Sequence, residues 1–423
     1  MIKFLHTADL HLGKVFHDQS LVEDQAVMLE DLARLLADES YAALLIAGDV
    51  YDRSIPSPEA VELFGSFLGK VKKQRPSLEI IVIPGNHDSA SRLGFGRELF
   101  AHLGIRFGVS AEECDKPLIV EGDGESCAFF FLPFLNPGVL SKESPEGTEE
   151  IPLRSQSAMA EEAARRMERA RQEFAGQGHA YSVLVAHLFA SGGTNAGSER
   201  VFLGNAESVN PALFSGFDYI ALGHLHRCQS AGEKVWYPGS PLAYSFGESS
   251  PQRGGQDKYF LSVELEKDGA KIEKIPVNPR RKVTSLSGPF ARFAGGILLD
   301  TSAEKTEDPE LLAAAEDYLE IRLTDRGITE NARELLRKRF PYLLSLKQDE
   351  ALAHLSSISG ASRDGRRNTQ SRGLDVDFRD FLSSLYGEIE QPDVSGDFST
   401  DLISEIGLFK ALLAEVESGI LEE

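Results

Sequence analysis

Five short apolar runs along the chain each stop at residues of metal-binding type. Ile2–Thr7 leads into Asp9-Leu10-His11, Ala42–Ala47 into Gly48-Asp49-Val50-Tyr51-Asp52, and Ile80–Ile83 into Gly85-Asn86-His87-Asp88. Tyr181–Ala186 leads into His187, and Tyr219–Leu222 into Gly223-His224-Leu225-His226. Short runs rich in Ile, Val, Leu and Tyr read as buried strands. Between them the apolar positions change to helical spacing: Val22, Ala26, Leu29, Ala33 and Leu36 over Val22–Ala37, then Val61, Phe64, Phe67 and Leu68 over Glu59–Val71. Ala158–Phe174, dense in Ala, Glu and Arg, predicts a further helix that Gly176 and Gly178 close. The alternation predicts an α/β domain over residues 1–275, finished by strands at Val235–Pro238 and Lys258–Leu265. In open α/β sheets, ligands collect beyond the carboxyl ends of the strands. The residues that close the five runs are therefore predicted to converge in space.

The pattern changes after Pro276–Lys282, a basic connector holding Arg280, Arg281 and Lys282. Residues 283–346 predict a smaller α/β unit, with a helix around Pro309–Tyr318, a strand at Leu319–Leu323 and a helix at Glu330–Phe340. Residues 347–374 include Ser356–Arg372, rich in Ser, Gly and Arg, and predict a flexible linker. Residues 375–423 predict two amphipathic helices, one carrying Phe378, Phe381, Leu382 and Leu385, the other Leu402, Ile406, Phe409, Leu412, Leu413 and Val416. Ser141–Gln156 reads as a hydrophilic loop, and the glycine-rich Ser191–Gly197 as a mobile loop beside the site.

Composition narrows the classes. With 42% apolar and 26% charged residues in 423, the chain has the make-up of an ordinary globular protein. No apolar run approaches the ~18 residues of a membrane span, and Met1–His6 meets Asp9 too soon for a signal peptide. Cys114, Cys127 and Cys228 are few, odd in number and not spaced C-x-x-C. Neither a disulfide framework nor a structural zinc is expected, and a reducing cytoplasm is the expected compartment. The net charge is −22, and thirteen acids against two bases put −11 of it in residues 375–423. That segment is expected to avoid nucleic acid.

Candidate chemistry emerges from the ligand types. Asp9, His11, Asp49, Asn86, His187, His224 and His226 give seven side chains, enough for two incompletely filled cation sites if one bridges. Residues i and i+2 of an extended segment face the same side, so Asp9/His11 and His224/His226 each form a pincer. Imidazole with carboxylate or carboxamide, and no thiolate, suits Mn, Fe or Zn better than Mg or Ca. Gly48, Gly85 and Gly223 precede ligands where a tight turn is expected. His87, beside the ligands but not among them, is the expected general acid or phosphoryl-charge stabiliser, with Asp88 orienting its imidazole. Alone, a D-x-H or an N-H-D turn carries little weight. The weight comes from all five motifs in order, each after an apolar run. His6, His17, His102, His179 and His354 read as core or surface residues, and Cys228 as a packing residue.

Together, D-x-H, G-D-x-x-D, G-N-H-D, a lone H and G-H-x-H resemble the signature of the calcineurin-like metallophosphoesterases. More narrowly, HTADLHLGK, AGDVYDR, PGNHDS, SERVFLG, DYIALGHLHR and YPGSPLAYSFGE resemble the SbcD-type nuclease subunits of bacterial SbcC–SbcD complexes. DYLEIRLTD and LRKRFPYLLSL resemble that family's capping domain. The resemblance implies a four-layer α/β/β/α sandwich with a smaller α/β capping domain and C-terminal helices. It implies one manganese on Asp9, His11, Asp49 and His226, a second on Asp49, Asn86, His187 and His224, and His87 as the catalytic histidine. The implied activity is a Mn-dependent double-strand exonuclease of 3'-to-5' polarity and single-strand endonuclease, processing DNA ends and hairpins in repair. The implied partner is an SMC-like ATPase of SbcC type, whose coiled coil the terminal helices would grip. The implied assembly is a homodimer within a heterotetramer, associated with the nucleoid and not with membranes. Asp52 departs from archaeal relatives, which often carry histidine there. Arg53, Arg92, Ser198, Arg200 and Arg227 flank the motifs as candidate phosphate contacts. Two other readings stay open: a stand-alone phosphoesterase for nucleotides or phosphoproteins, and a metal-free scaffold.

Overall fold

A computed structural model describes residues 1–348 except 39, 123, 144–149, 179, 195–207, 249–256, 296–307 and 326–330. The expected linker beyond residue 348, the helices of 375–423, His179, His354, Ser198 and Arg200 lie outside the described residues, as does the second half of the glycine-rich loop.

Two six-stranded sheets carry the first domain. One runs in the order Gly269–Val277, Lys258–Glu266, Ile2–Thr7, Ala43–Ala47, Glu79–Ile83, Ile105–Phe107. The other runs Gln229–Gly232, Val235–Tyr237, Tyr219–Gly223, Tyr181–His187, Glu125–Leu132, Leu118–Gly122. Ligand-bearing strands that adjoin one another pair in parallel: Ile2–Thr7 with Ala43–Ala47, Ala43–Ala47 with Glu79–Ile83, and Tyr181–His187 with Tyr219–Gly223. Their carboxyl ends therefore point the same way within each sheet. The strands lack the alternation of a half-exposed sheet because they are covered on both faces: Ala43–Ala47 and Tyr181–His187 are buried at every residue.

The sheets face each other across Phe4, Leu45, Ile81, Phe129, Val183, Tyr219 and Val263. Helices Val22–Leu35 and Pro58–Gln74 cover the first sheet through Met28, Leu32, Phe64, Phe67 and Val71. Helix Gln156–Gly176 covers the second through Met159, Ala163 and Met167. The result is the four-layer α/β/β/α sandwich. Helix starts obey local chemistry: Ser57 accepts from Ala60 N at 3.3 Å ahead of Pro58, and Ser155 from Ala158 N at 3.2 Å.

Residues 283–348 form a parallel three-stranded sheet, Val283–Gly288, Tyr318–Leu323, Leu343–Gln348, around a core of Leu286, Phe293, Leu319, Ile321, Leu336 and Phe340. The predicted helices are shorter than read, Pro309–Ala313 and Ala332–Arg337, and the outer strands, partly exposed along their length, were not read from the sequence. Ser141–Glu143 and Glu150–Pro152 pair as a small hairpin where a plain loop was expected. The second unit docks on helix Val22–Leu35: Tyr318 Oη donates to Asp24 Oδ2 at 2.7 Å, and Arg280 pairs with Glu23. Among the described residues no helix is long and apolar enough to cross a membrane.

Candidate metal centre

The strand ends bring all seven expected ligands together. His11 Nε2 lies 3.1 Å from His226 Nε2. Asn86 Oδ1 lies 3.1 Å from both His187 Nε2 and His224 Nδ1. Asp49 stands between these groups, its Oδ2 3.7 Å from His11 Nε2 and 3.6 Å from His187 Nε2. Asp9 lies within ligand reach of His11 and His226, and of Asp49 and His187; both its oxygens face the His224 N–H, at 3.0 and 3.1 Å.

The turns that carry them are strained. Asp9, His11, Asp49 and His224 have φ of +54°, +44°, +47° and +105°, a region that side chains other than glycine rarely occupy and that persists where the surroundings impose it. The glycines before the ligands have a second reason beyond turning. A Cβ on Gly48 would lie 2.0 Å from His187 Nδ1, on Gly85 2.1 Å from Asp49 Oδ1, and on Gly223 1.8 Å from Ala47 O. Only Gly48 of the three has positive φ. Gly85 and Gly223 serve close approach, not the tight turn expected of them.

The donor chemistry fits cations. His226 Nδ1 bonds Glu248 Oε1 at 3.4 Å, His187 Nδ1 bonds Ala47 O at 2.9 Å, and His11 Nδ1 faces Asp52 Oδ1 at 3.4 Å. The two hydrogen-bond acceptors keep the imidazole proton of His226 and His187 on Nδ1 and leave a lone pair on Nε2, and the nearby Asp52 carboxylate favours the same tautomer in His11. Two such lone pairs then meet between His11 and His226, and a third meets the Asn86 carbonyl oxygen. Facing acceptors at 3.1 Å repel unless a cation lies between them.

Charge states agree. Burial lowers His11 to about 4, against the pull of Asp52 and Asp49, and lowers His224 to about 3 with help from His187. His187 is lowered by burial too. Burial would raise Asp49, but His187, His11 and His87 outweigh it and hold the carboxyl well below its usual range. Neutral imidazoles around an ionised carboxylate form a ligand set competent at neutral pH.

His87 stands beside this set, its ring 4.7 Å from that of His11 and perpendicular to it. Its backbone N–H donates to Asp49 Oδ1 at 2.8 Å. The expected Asp88 contact does not form. His87 Nδ1 bonds the Asp52 carbonyl oxygen at 2.8 Å, while the Asp88 carboxylate accepts from the N–H groups of Val50, Tyr51 and Gly85 at 3.0, 2.9 and 3.0 Å. Asp88 ties two ligand turns together instead of orienting the ring. Burial and the neighbouring Asp49 push its carboxyl up to about 7 against those three donors.

Several residues support the ligands in ways that the motifs do not state. Asp52 accepts from Lys14 Nζ at 2.6 Å, faces His11 with its side chain and holds His87 with its main chain. Glu248, fully buried, pairs with Lys258 and accepts from Tyr244 N at 3.1 Å. Gln25, on a helix read as core by its apolar spacing, sends Nε2 to His11 O at 2.7 Å and accepts from Gly13 N at 2.9 Å. Of the candidate DNA contacts, Arg53 and Arg92 are exposed and Arg227 is half-buried. Thr194 pairs with Gln229 at 2.9 Å, pinning the start of the glycine-rich loop. Cys228 packs against the inter-sheet core, and His6, buried, meets Tyr219 Oη at 3.0 Å.

The family model of the calcineurin-like phosphoesterases matches residues 2–228, more than half of the chain and every expected ligand. The chain belongs to the calcineurin-like phosphoesterases. Remote likenesses in solved structures accompany this match. TT1561 of Thermus thermophilus is 12% identical with a TM-score of 0.37, covering 66% of this chain and 99% of that one. A dimetal phosphatase from Danio rerio is 13% identical with a TM-score of 0.36, at the same coverage. The assignment of this phosphoesterase rests on the family model alone. Ligand atoms of Asp9, His11 and His226 lie within reach of one another, as do those of Asp9, Asp49 and His187, and Asn86 adjoins His187 and His224; these are the residues that would hold divalent cations.

Proposed function

We propose that this phosphoesterase is a manganese-dependent DNA nuclease, the SbcD-type subunit of a complex with an SMC-like ATPase, acting on DNA ends and hairpins. The observation that carries the reading is the second α/β unit. The stretch resembling the nuclease family's capping domain folds around its own core and docks on the helix whose Gln25 holds the His11 turn. Exposed Arg53 and Arg92 on the motif loops suit an extended polyanion better than a small substrate. A second copy of the chain is the partner we propose for the exposed Phe95, Leu99 and Leu103, which lie in and on either side of the short helix Arg97–Ala101.

Bound as a pair, divalent cations supply an activated water and neutralise phosphoryl charge. The chain's own residues do the rest. With Nδ1 committed to the Asp52 carbonyl oxygen, His87 keeps Nε2 for the substrate. In the imidazolium form that nitrogen donates its proton to the leaving oxygen. The Asp49–His87 backbone bond fixes this ring relative to the shared ligand.

The test is degradation of linear duplex DNA by the full chain with Mn2+. His87→Ala is expected to lower the rate by roughly 10²–10⁴ with bound metal retained. Cleavage of small phosphodiesters alone would refute the nuclease reading and leave the stand-alone phosphoesterase. Recovery of an ATPase partner by the full chain, but not by a chain ending at residue 374, tests the assembly.

A further inference from the structure

Phe134 is an aromatic side chain that the core does not use. Its neighbours Leu132 and Leu135 are buried at 0% and 1% exposure, yet Phe134 is half-buried and belongs to none of the hydrophobic cores among the described residues. Its ring lies over the ligands instead: 6.4 Å from the His224 ring at 25°, and 6.2 Å from the His187 ring. The backbone is fixed there, since Phe134 N–H donates to Pro84 O at 3.2 Å, two residues before Asn86. Phe189, also half-buried, stands 6.4 Å from the His224 ring as well. A half-exposed apolar ring beside a charged hydrolytic centre keeps a face that costs free energy to hydrate.

A phosphodiester of DNA carries a flat, apolar-faced base within a few bonds of the reacting phosphorus. We propose that Phe134 is the platform on which the base beside the scissile phosphate stacks, at the Asn86–His187–His224 side of the centre. A base stacked there has left its duplex partner and neighbour, so the site selects single-stranded or frayed DNA. This inference rests on the nuclease reading and specifies its substrate. Stacking on aromatic side chains tolerates any base, because every base has a π-face.

The experiment compares a single-stranded oligonucleotide with the same strand made abasic around the cut, using the full chain and Mn2+. The readout is the ratio of kcat/KM on the two substrates, with bound manganese measured alongside. In Phe134→Ala the preference for the base-bearing strand is expected to fall by about 5- to 150-fold. Phe134→Leu, which keeps apolar volume without an aromatic face, is expected to lose it likewise, and Phe134→Trp to retain it. An unchanged ratio, with activity on both strands falling together or manganese lost, overturns the proposal and leaves Phe134 as a prop for His224. If the wild-type chain cuts neither strand but hydrolyses a small diester, the nuclease reading itself falls and takes this inference with it.

Discussion

Replacing Lys258 with Met tests how the centre is braced from behind. Lys258 Nζ pairs with Glu248, donates to Ser240 Oγ at 2.9 Å and reaches His226 O at 3.1 Å. Glu248 is 0% exposed and Lys258 7%. Burial would raise the Glu248 carboxyl, but Lys258 and His226 outweigh it and hold it ionised. Without the ammonium, the buried carboxylate keeps Ser240 Oγ, Tyr244 N and His226 Nδ1 as partners among the described residues. Removing one partner of a buried pair costs about 3–5 kcal/mol. At roughly 2–4 °C per kcal/mol for domains of 150–250 residues, and less for a larger one, that is a fall in Tm of about 5 °C or more across most of that range. Urea unfolding in chelator, which removes stabilisation by bound metal, gives the free energy directly. The double variant Lys258→Met/Glu248→Gln removes the stranded charge and is expected to recover more than half of the loss. A single-variant cost below about 1 kcal/mol, or a double variant as unstable as the two singles summed, would refute the reasoning.

Gly223→Ala places a methyl 1.8 Å from the Ala47 carbonyl oxygen; bound manganese and Tm should both fall, and retention of two ions per chain would count against the packing argument. Asp52→Asn removes a charge facing His11, and manganese affinity measured by titration should weaken about 10–100-fold, whereas an unchanged affinity would leave Lys14–Asp52 as surface pairing. Burial lowers His6 to about 3, so between pH 6.5 and about 3 the unfolded chain binds a proton that the folded chain refuses. Its contribution is complete above pH 6.5 and is lost as pH falls through that window. His6→Gln should therefore reduce the slope of unfolding free energy against pH, between about pH 6 and 4, by up to about 1.4 kcal/mol per unit; an unaltered slope would mean that His6 titrates normally.

The sequence exposed the ligands because their signal is local. A fully buried strand is a continuous apolar run, and the parallel topology delivers the residues after each run to the same edge. The supporting residues were hidden because their partners lie far along the chain. Glu248 meets His226 across 22 positions and Gln25 meets His11 across 14, and neither spacing is periodic. Asp88 misled for a related reason. Its position beside His87 suggested a partner, but i and i+1 side chains diverge, and its oxygens turn back to three backbone donors. Phe134 sits in a run of apolar residues, Phe129–Leu135, where pattern alone cannot separate the one ring left out of the core. The outer strands of the second unit, Val283–Gly288 and Leu343–Gln348, are as long as the central Tyr318–Leu323 but only partly buried, so neither shows the nearly continuous burial that marks the central one.

Asp24 and Gln25 are consecutive on one buried helix turn, and they hold different things: Asp24 the Tyr318 hydroxyl of the second unit, Gln25 the carbonyl oxygen of His11. The outer unit and the turn that carries His11 are thus tied to adjoining residues, a single peptide link apart. Replacing the second unit of this chain would require the incoming sheet to keep a hydroxyl at the position of Tyr318. Otherwise the graft would lose its anchor next to the residue that holds the turn.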